Sequence, residues 1–296
     1  MKIARIQFLL SMLIVGSIGL FVRSIPFSSA QIALVRGILG CAFVFVFSLM
    51  SGQKISGKNI KANLWILIAS GIALSVNWIL LFQAYKYTTI SNATICYYFA
   101  PVLVMILSPL ILKEPLSVLK VLCIVAALVG LACIAGVSKK AGANDFVGIL
   151  YGLGSAVLYA TVIFLNKCLK DIKGIESSIV QLGVSAISLL AYVLMSEGFK
   201  LDEMTVTPIV LLLIVGIIHT GVVYLLYFSS MRELSAQSVA ALSYIDPVVA
   251  ILLASIFLHE KMTIVQIIGG ILILGATFFN EIYAQKRRLA IFYSKF

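Results

Sequence analysis

The chain has 296 residues, of which 62% are hydrophobic and only 11% are charged, and its mean hydropathy is +1.13. An ordinary soluble domain carries about 25% charged residues, so this composition excludes a soluble globular protein and indicates a membrane protein. The net charge of +11 comes from basic residues in connecting segments and in the C-terminal tail. That distribution favours anionic lipid at the cytoplasmic face, and not nucleic acid, as the partner of the basic residues.

Ten apolar runs of about 20 residues follow one another along the chain, and each is long enough as a helix to cross about 30 Å of hydrocarbon. A transmembrane β-barrel would instead show shorter, alternating segments. The connections are short, so no separate soluble domain is expected. The predicted spans are 6–22, 30–50, 64–85, 91–112, 118–137, 147–166, 175–195, 208–227, 236–258 and 264–283.

The first run has an alternative interpretation. Lys2 and Arg5, an apolar stretch and then SSAQ at 28–31 imitate a cleavable signal peptide. The apolar core is long for a signal peptide, and its residues complete an even set of helices. We therefore expect an uncleaved first helix.

Basic residues predict the orientation, because they stay on the cytoplasmic side. With the N-terminus inside, fifteen basic residues are cytoplasmic, six are outside and Arg36 lies within a span. The six outer residues are Arg23, Lys86, Lys139, Lys140, Lys200 and Lys261. The expected protein is a multi-pass protein of a bacterial inner membrane with both termini in the cytoplasm.

Cysteine and histidine usage indicates no metal centre or disulfide framework. The five cysteines lie within spans or at their ends, without CxxC spacing and without a nearby histidine cluster. No cofactor is expected either, because no phosphate-binding loop motif occurs and the loops are too short for a nucleotide-binding domain.

The two halves of the chain resemble each other. A shift of 146 positions aligns seven identical pairs, which are Tyr98/Tyr244, Pro101/Pro247, Glu114/Glu260, Phe82/Phe228, Val102/Val248, Leu107/Leu253 and Leu112/Leu258. Because each half holds five spans, an odd number, the second half is expected to be inverted relative to the first. Inverted repeats are typical of alternating-access carriers with a binding site near the bilayer midplane.

A family resemblance rests on these same segments. NWILLFQAYKYTTISNATICYYFAPVLVMILSPLILKEPLSVLKV at 77–121, ALSYIDPVVAILLASIFLHEKMTIVQIIGGILILG at 241–275 and LVRG at 34–37 resemble the EamA repeats of the drug/metabolite transporter superfamily. The resemblance implies an all-α integral membrane protein of ten transmembrane helices, arranged as two inverted five-helix repeats around a central cavity. The repeats would be 1–138 and 139–296, the second with a short basic tail, and spans one, three, four, six, eight and nine would line the cavity.

Asp246 is the most informative single residue. It precedes Pro247 near the middle of the ninth span, whereas the first repeat has Ala100 at the equivalent position, so the repeat architecture alone does not require a carboxylate. Many family members carry an acid there, usually glutamate. A charge at the bilayer centre costs about 2.5 to 3.5 kcal/mol and normally faces a cavity or a partner. Asp246 is therefore predicted to bind a substrate cation or a proton, and an ion pair with Arg36 is the alternative.

Other side chains are candidates for the same site. His219 is either a proton relay or a neutral, hydrogen-bonded residue, and Arg36 is either a framework residue or part of the site. Tyr98 and Tyr244 are repeat-equivalent and lie three residues before each proline, so we expect them on the face of the bend. The further candidate binding residues are Asn77, Trp78, Tyr97 and Tyr159. Tyr85 and Tyr224 also lie on spans that the resemblance places around the cavity.

Aromatic faces attract ammonium groups, so together with Asp246 they predict an amine, a zwitterion or an aromatic metabolite as the substrate. Ser155, Tyr159 and Asn166 recur on one face of the sixth span. Glu114 and Glu260 are expected to be solvated helix ends. Gly148, Gly152 and the glycines of the last span, Gly269, Gly270 and Gly275, are expected to allow close helix packing.

The predicted function is a secondary transporter that exports a small organic metabolite by alternating access, with proton coupling left open. An uptake carrier or exchanger for a cationic or quaternary amine is the alternative. An intramembrane enzyme would need paired catalytic groups, which one aspartate and two histidines do not supply. A receptor or scaffold is less favoured, because such proteins usually carry sizeable exposed domains.

Overall fold

The computed structural model describes residues 2–52, 55–111, 117–141, 143–196, 198, 205–231, 234, 239 and 242–293. Several residues of the orientation and repeat predictions lie outside this range, namely Lys54, Leu112, Lys113, Glu114, Lys200, Arg232 and Lys295. The same holds for the side chains of Lys2, Lys139, Lys140, Phe228, Lys286, Arg287 and Arg288.

The regular secondary structure of the described residues is entirely helical, with no strand among them. The first half contains α1 (Lys2–Arg23), α2 (Ser29–Met50), α3 (Gly57–Ala62), α4 (Leu64–Tyr87), α5 (Ile90–Tyr97), α6 (Ala100–Ile111) and α7 (Val118–Ala141). The second half contains α8 (Ala143–Lys167), α9 (Gly174–Ser196), α10 (Val206–Leu213), a π-helix (Ile214–Val222), α11 (Val223–Met231), α12 (Ile245–Leu258) and α13 (Ile264–Tyr293).

Eight helical stretches in the described chain are long and apolar enough to cross a membrane, and they follow the first eight predicted spans. The ninth and tenth predictions correspond to shorter apolar helices, 245–258 and 264–280. The ninth span is described only in part, because 235–238 and 240–241 lie outside the described residues.

Two predicted spans are interrupted where the sequence has proline. The fourth is divided into α5 and α6 by a turn at Tyr98 and Phe99, just before Pro101. In the ninth, Tyr244 forms a turn and α12 begins at Ile245. Asp246 occupies the first turn of α12, directly after this turn in the ninth predicted span.

The outer surface of the bundle is apolar. Trp65, Leu110, Val118 and Met195 are each more than three-quarters exposed, and they lie on four different spans. A soluble monomer rarely exposes so much contiguous apolar surface, whereas lipid tails solvate it. The helix faces that turn inward carry the polar side chains described below.

Contacts between loops define two ends of the bundle. At one end, named here the Glu260 end, Arg23 forms an ion pair with Glu260 over 2.7 Å, and Lys86 donates to the carbonyl of Phe27. At the opposite end, Asn63 donates to the carbonyl of Lys170 over 2.8 Å. Successive loops along the chain thus lie at alternate ends of the bundle, as expected for consecutive spans.

Close helix approaches hold the interior in place. α1 packs on α12 at Gly16, where an added Cβ would lie 2.7 Å from the carbonyl oxygen of Asp246. α2 packs on the π-helix at Gly40, where a side chain would collide with Thr220. The expected packing role also holds at Gly148, which faces Thr88, but not at Gly275, where a Cβ would meet nothing within 4 Å.

Candidate functional site

The turns before the two prolines bring Tyr98 and Asp246 together. Tyr98 ends α5, Asp246 begins α12, and the Tyr98 hydroxyl donates to Asp246 Oδ2 over 2.6 Å. Pro101 and Pro247 lie in the first turns of α6 and α12, where a helix has no intrahelical partner for the missing N–H. The prolines therefore break each span without loss of a helical hydrogen bond.

Asp246 has few hydrogen-bond donors for a carboxylate inside a membrane protein. It is half-buried, and the Tyr98 hydroxyl is its hydrogen-bond donor among the described groups. Oδ1 has no such donor, yet it is absent from the fully buried polar atoms that lack a partner. Oδ1 of Asp246 is therefore not fully enclosed and has no donor among the described groups.

Tyrosine rings surround this carboxylate. The rings of Tyr97 and Tyr159 stack at 5.1 Å between centroids, Tyr98 and Tyr244 lie 6.3 Å apart, and all four are half-buried. These predicted residues come from α5, α8 and the turn before α12, so the structure brings them together. Phe278 of α13 completes the cluster with an edge contact of 5.3 Å to Tyr244. The sequence carries no signal that singles Phe278 out from other phenylalanines.

Arg36 lies on the inner face of α2 and is also half-buried. Its Nε donates to Thr220 Oγ1 over 2.9 Å, and its guanidinium carbon lies 4.3 Å from the ring centroid of Trp78. Phe82 lies farther away, at 5.7 Å. The guanidinium is thus oriented by one hydroxyl and one aromatic face, while its two Nη groups hydrogen-bond to none of the described residues.

Thr220 was not predicted as a site residue. It follows His219 in the π-helix, and its hydroxyl donates to the carbonyl of Val215, five residues earlier, over 3.1 Å. That bond directs the oxygen lone pairs toward Arg36. Gly40, one turn after Arg36 on α2, makes room for the Thr220 methyl group. A polar residue next to a histidine in an apolar span was the available signal.

Arg36 and Asp246 contact different partners, Arg36 the Thr220 hydroxyl and Asp246 the Tyr98 hydroxyl. Between these two described side chains, no nitrogen–oxygen approach qualifies as a salt bridge. The alternative of a direct Asp246–Arg36 staple is therefore not the arrangement observed.

His219 is placed differently from the other candidates. It is 2% exposed, Nε2 lies 2.9 Å from Ser17 Oγ, and Nδ1 lies 3.3 Å from the carbonyl oxygen of Ile214. Phe21 of α1 packs on its ring edge. These contacts join the π-helix to α1, and a neutral imidazole satisfies both through one donor and one acceptor nitrogen. A proton-relay role for His219 stays a prediction.

The polar stripe on α8 mainly joins helices. Asn77 is fully buried and donates to the carbonyl of Ser155 over 2.7 Å, while the Ser155 hydroxyl donates back to the Asn77 carbonyl. Asn166 accepts a hydrogen bond from Gln181 of α9. Of the predicted stripe, Tyr159 is the member that reaches the tyrosine cluster.

Glu260 differs from its prediction. Its side chain is 6% exposed, so the expectation of a solvated helix end is wrong. It accepts hydrogen bonds from the backbone N–H groups of Ile90 and Ser91, from the Ser91 hydroxyl and from Arg23. A carboxylate at a helix N-terminus is stabilised by these free N–H groups. Glu260 thus ties the end of α12 to the start of α5 and to the end of α1.

Fold and site together define an all-helical membrane protein with a polar, partly accessible interior. Comparison with known proteins identifies its class. The model of the EamA-like transporter family matches the chain twice, at residues 2–136 and 146–281.

Curated relatives agree with this match. The chain is 30% identical over 272 residues to the "Uncharacterized transporter YxxF" of Bacillus subtilis, which covers 91% of this chain and 86% of that protein. It is 26% identical to an "Uncharacterized transporter" of Archaeoglobus fulgidus, which covers 93% of this chain and 95% of that protein. A solved crystal structure, 18% identical, superposes with a TM-score of 0.62 over 93% of this chain and 95% of its own, and shows a similar fold.

The chain belongs to the EamA-like transporter family. It is therefore an integral, multi-pass membrane protein of a family of transporters, and small-molecule substrates are implied by that membership. The predicted family resemblance is confirmed.

Proposed function

We propose that this protein is a secondary carrier that exports a small organic metabolite, an amino acid, amine or aromatic solute, by alternating access around Asp246. The observation that carries the proposal is the half-buried carboxylate of Asp246 with one hydrogen-bond donor and one accessible oxygen. A charge in a membrane interior costs about 2.5 to 3.5 kcal/mol, and residues that retain such a charge mark ion or substrate pathways.

The surrounding rings support a positively charged group as the binding partner. Three half-buried rings lie next to the carboxylate, those of Tyr97, Tyr98 and Tyr244. Tyr97 and Tyr98 lie at the end of α5, and Tyr244 lies just before α12. An ammonium group over an aromatic face gains about 0.5 to 2 kcal/mol, more when it is desolvated. A carboxylate and aromatic faces together suit a protonated amine better than a neutral solute.

Helix packing supports an inverted-repeat carrier with ten spans, divided at 1–138 and 139–296. The pairing of α4 with α8 has a repeat-related counterpart in the pairing of α1 with α11. Likewise the packing of α4 on α9 is repeated by that of α2 on the π-helix, and α2–α9 and α7–α13 are self-related pairs. Inverted repeats place the substrate site at their interface, where Asp246 and Tyr98 meet.

The orientation of the carrier follows from its basic residues. The loops of the Asn63 end carry Lys58, Lys61, Lys167, Lys170 and Lys173, so this end is proposed to be cytoplasmic, with both termini. Anionic lipid is the proposed partner of this surface. The Glu260 end then faces outward in the bacterial inner membrane.

Transport assays with matched variants test the proposal. The purified protein is reconstituted into liposomes, and counterflow of radiolabelled amino acids, amines and aromatic solutes is measured. Asp246→Asn should reduce counterflow about 100-fold and change its pH dependence if protons share the site. Asp171→Asn makes the same chemical change in a loop, at a positive φ of 52° that asparagine tolerates, and should leave transport unchanged.

Transport that is unchanged in Asp246→Asn across the pH range would overturn the role of this carboxylate. Counterflow of no solute in a broad panel, with protein that remains folded, would count against the carrier itself. The alternative, uptake or exchange of a quaternary amine, predicts counterflow of permanently charged ammonium compounds without pH dependence, since such compounds neither gain nor lose a proton.

A further inference from the structure

We propose that a groove on the lipid-facing surface, between α7 and α13, binds one acyl chain of an anionic phospholipid. The headgroup of that lipid then lies against the basic residues at the Asn63 end of the bundle. The inference rests on the part of the proposed function that names anionic lipid as a partner, and it assigns that lipid a defined site. The groove involves none of the candidate substrate-binding residues.

The groove forms because α7 and α13 touch closely at one level and leave space beside it. Gly130 and Gly269 face each other at that level, and a Cβ added to either would lie 2.6 Å from the carbonyl oxygen of the other. Toward the Asn63 end, the stretches 119–126 of α7 and 271–279 of α13 line a cavity of about 340 Å³. This volume is in the range of small-ligand sites, about 300 to 1,000 Å³.

The lining of the groove is apolar, and the groove opens to the surface. Its lining residues are aliphatic, aromatic, glycine or cysteine. Leu122 and Phe279 are each more than half exposed, and Gly275 leaves one wall without a side chain, because a Cβ there would meet nothing within 4 Å. Apolar cavities do not hold water, so hydrocarbon is the expected occupant.

The dimensions of the groove suit one acyl chain. The stretch 119–126 rises about 10 Å along α7, which is most of the roughly 15 Å depth of one leaflet. A helix of the same length and about 10 Å in diameter would occupy about 800 Å³, more than twice the volume of the groove. A helix of a second copy is therefore too wide to fill the groove, whereas a single lipid chain fits.

Basic residues at the Asn63 end select the headgroup. Lys120 lies in the first turn of α7 and is half-buried, and KRR at 286–288 follows Tyr283 in the sequence. A lysine lays its alkyl stem on apolar surface and keeps its ammonium group at the level of the headgroups. Each basic residue near the membrane surface strengthens the binding of anionic lipid about fivefold. The site is therefore expected to prefer phosphatidylglycerol to a lipid without net charge.

Native mass spectrometry of the delipidated protein tests the proposal with two probes, phosphatidylglycerol and phosphatidylcholine at equal concentration. The first lipid to bind should be phosphatidylglycerol, with a preference of at least about fivefold, and Lys120→Gln should lower that preference about fivefold. Phosphatidylglycerol with a photoreactive diazirine on its acyl chain should form its adducts mainly within 119–126 and 271–279.

Variants that fill the groove test its location. Gly275→Leu should lower the adduct yield in both stretches about tenfold, because a filled groove leaves the acyl chain in contact with protein on one side only. Gly136→Leu is the matched control: this glycine of α7 also has open space around it but lies beyond the Gly130 contact, so the lipid should bind as in wild type. Ala126→Leu fills the groove from α7 and replaces Gly275→Leu if that variant does not fold.

Three results would overturn the proposal. The first is an equal adduct yield in Gly275→Leu and wild type, and the second is equal binding of the two lipids. The third is a change from dimer to monomer in Gly275→Leu with unchanged lipid binding, which would assign the groove to a second copy of the chain. These measurements do not involve transport, so absence of counterflow would overturn the carrier and leave the lipid site standing.

Discussion

Asp246 and Glu260 are two acids of the same segment with opposite environments. Glu260 receives four hydrogen bonds, from two backbone N–H groups, a hydroxyl and Arg23, and its side chain is 6% exposed. Asp246 receives one, from Tyr98, and keeps an accessible oxygen. The number of hydrogen bonds that each carboxylate accepts thus separates an acid that holds helices together from one that is available to a ligand. A carboxylate whose oxygens already accept several hydrogen bonds has no lone pair left for a ligand.

The largest effect on stability is expected from Glu260→Ala. The substitution leaves the N–H groups of Ile90 and Ser91 and the guanidinium of Arg23 without their acceptor, at a cost of about 2 to 3 kcal/mol. Thermal unfolding in detergent measures the loss. Lys261→Ala, at the exposed next residue, is the control and should change stability by less than about 0.5 kcal/mol. Equal stability of Glu260→Ala and wild type would contradict the structural role.

Asp246→Asn should affect transport more than stability, because the Asp246 carboxylate holds few other groups in place. We expect less than about 1 kcal/mol of change in unfolding free energy alongside the transport loss proposed above. A melt on the same preparations used for counterflow is the measurement. A loss of stability as large as that of Glu260→Ala would show that both acids stabilise the fold, and the proposed difference between them would be wrong.

Gly16→Ala probes the placement of Asp246 from the opposite helix. The added Cβ would lie 2.7 Å from the Asp246 carbonyl oxygen, so α1 and α12 must separate, at a cost of about 2 kcal/mol. Gly275→Ala is a matched helix glycine that meets nothing within 4 Å and should gain up to about 1 kcal/mol. Melting curves of the two variants that coincide would show that the α1–α12 contact is not tight.

Tyr98→Phe removes the donor from Asp246 and keeps the ring. We expect about a tenfold loss of apparent substrate affinity, equivalent to about 1.4 kcal/mol, with a small change in stability. Tyr97→Phe is the matched control, because the Tyr97 ring stacks on Tyr159 and its hydroxyl has no described hydrogen bond. Equal counterflow affinities in the two variants would show that the Tyr98 hydroxyl does not orient the carboxylate.

Sequence reasoning predicted the first eight spans well and the side-chain partners less well. Long apolar runs reveal helices because hydrocarbon requires about 20 apolar residues per crossing. The turn at Tyr244 was not predicted, since a proline inside a span is compatible with either a bend or a break. Depth along a helix can be predicted at about 1.5 Å per residue, which is why Asp246 was expected near the middle of its span.

Lateral placement is not readable, because it depends on how each helix is rotated against its neighbours. That is why Thr220 was missed as the partner of Arg36, and why Asn77 was expected near the substrate although it joins α4 to Ser155 of α8. Glu260 was predicted as a solvated end for the same reason. Its donors come from residues about 170 and 237 positions away in the chain, and no local sequence pattern indicates them.

Thr220→Val should have the smallest effect, because it removes only the hydroxyl that orients Arg36 and preserves the side-chain shape. The Arg36 Nε–H loses its described acceptor, and we expect apparent affinity for the transported solute to fall about threefold to fivefold, or about 0.7 to 1 kcal/mol. Thr220→Ser keeps the hydroxyl and should bind as wild type does. Since Tyr98→Phe acts on Asp246, the two losses in a double variant should add if Arg36 and Asp246 act independently. Losses that do not add would indicate that Arg36 and Asp246 are coupled directly.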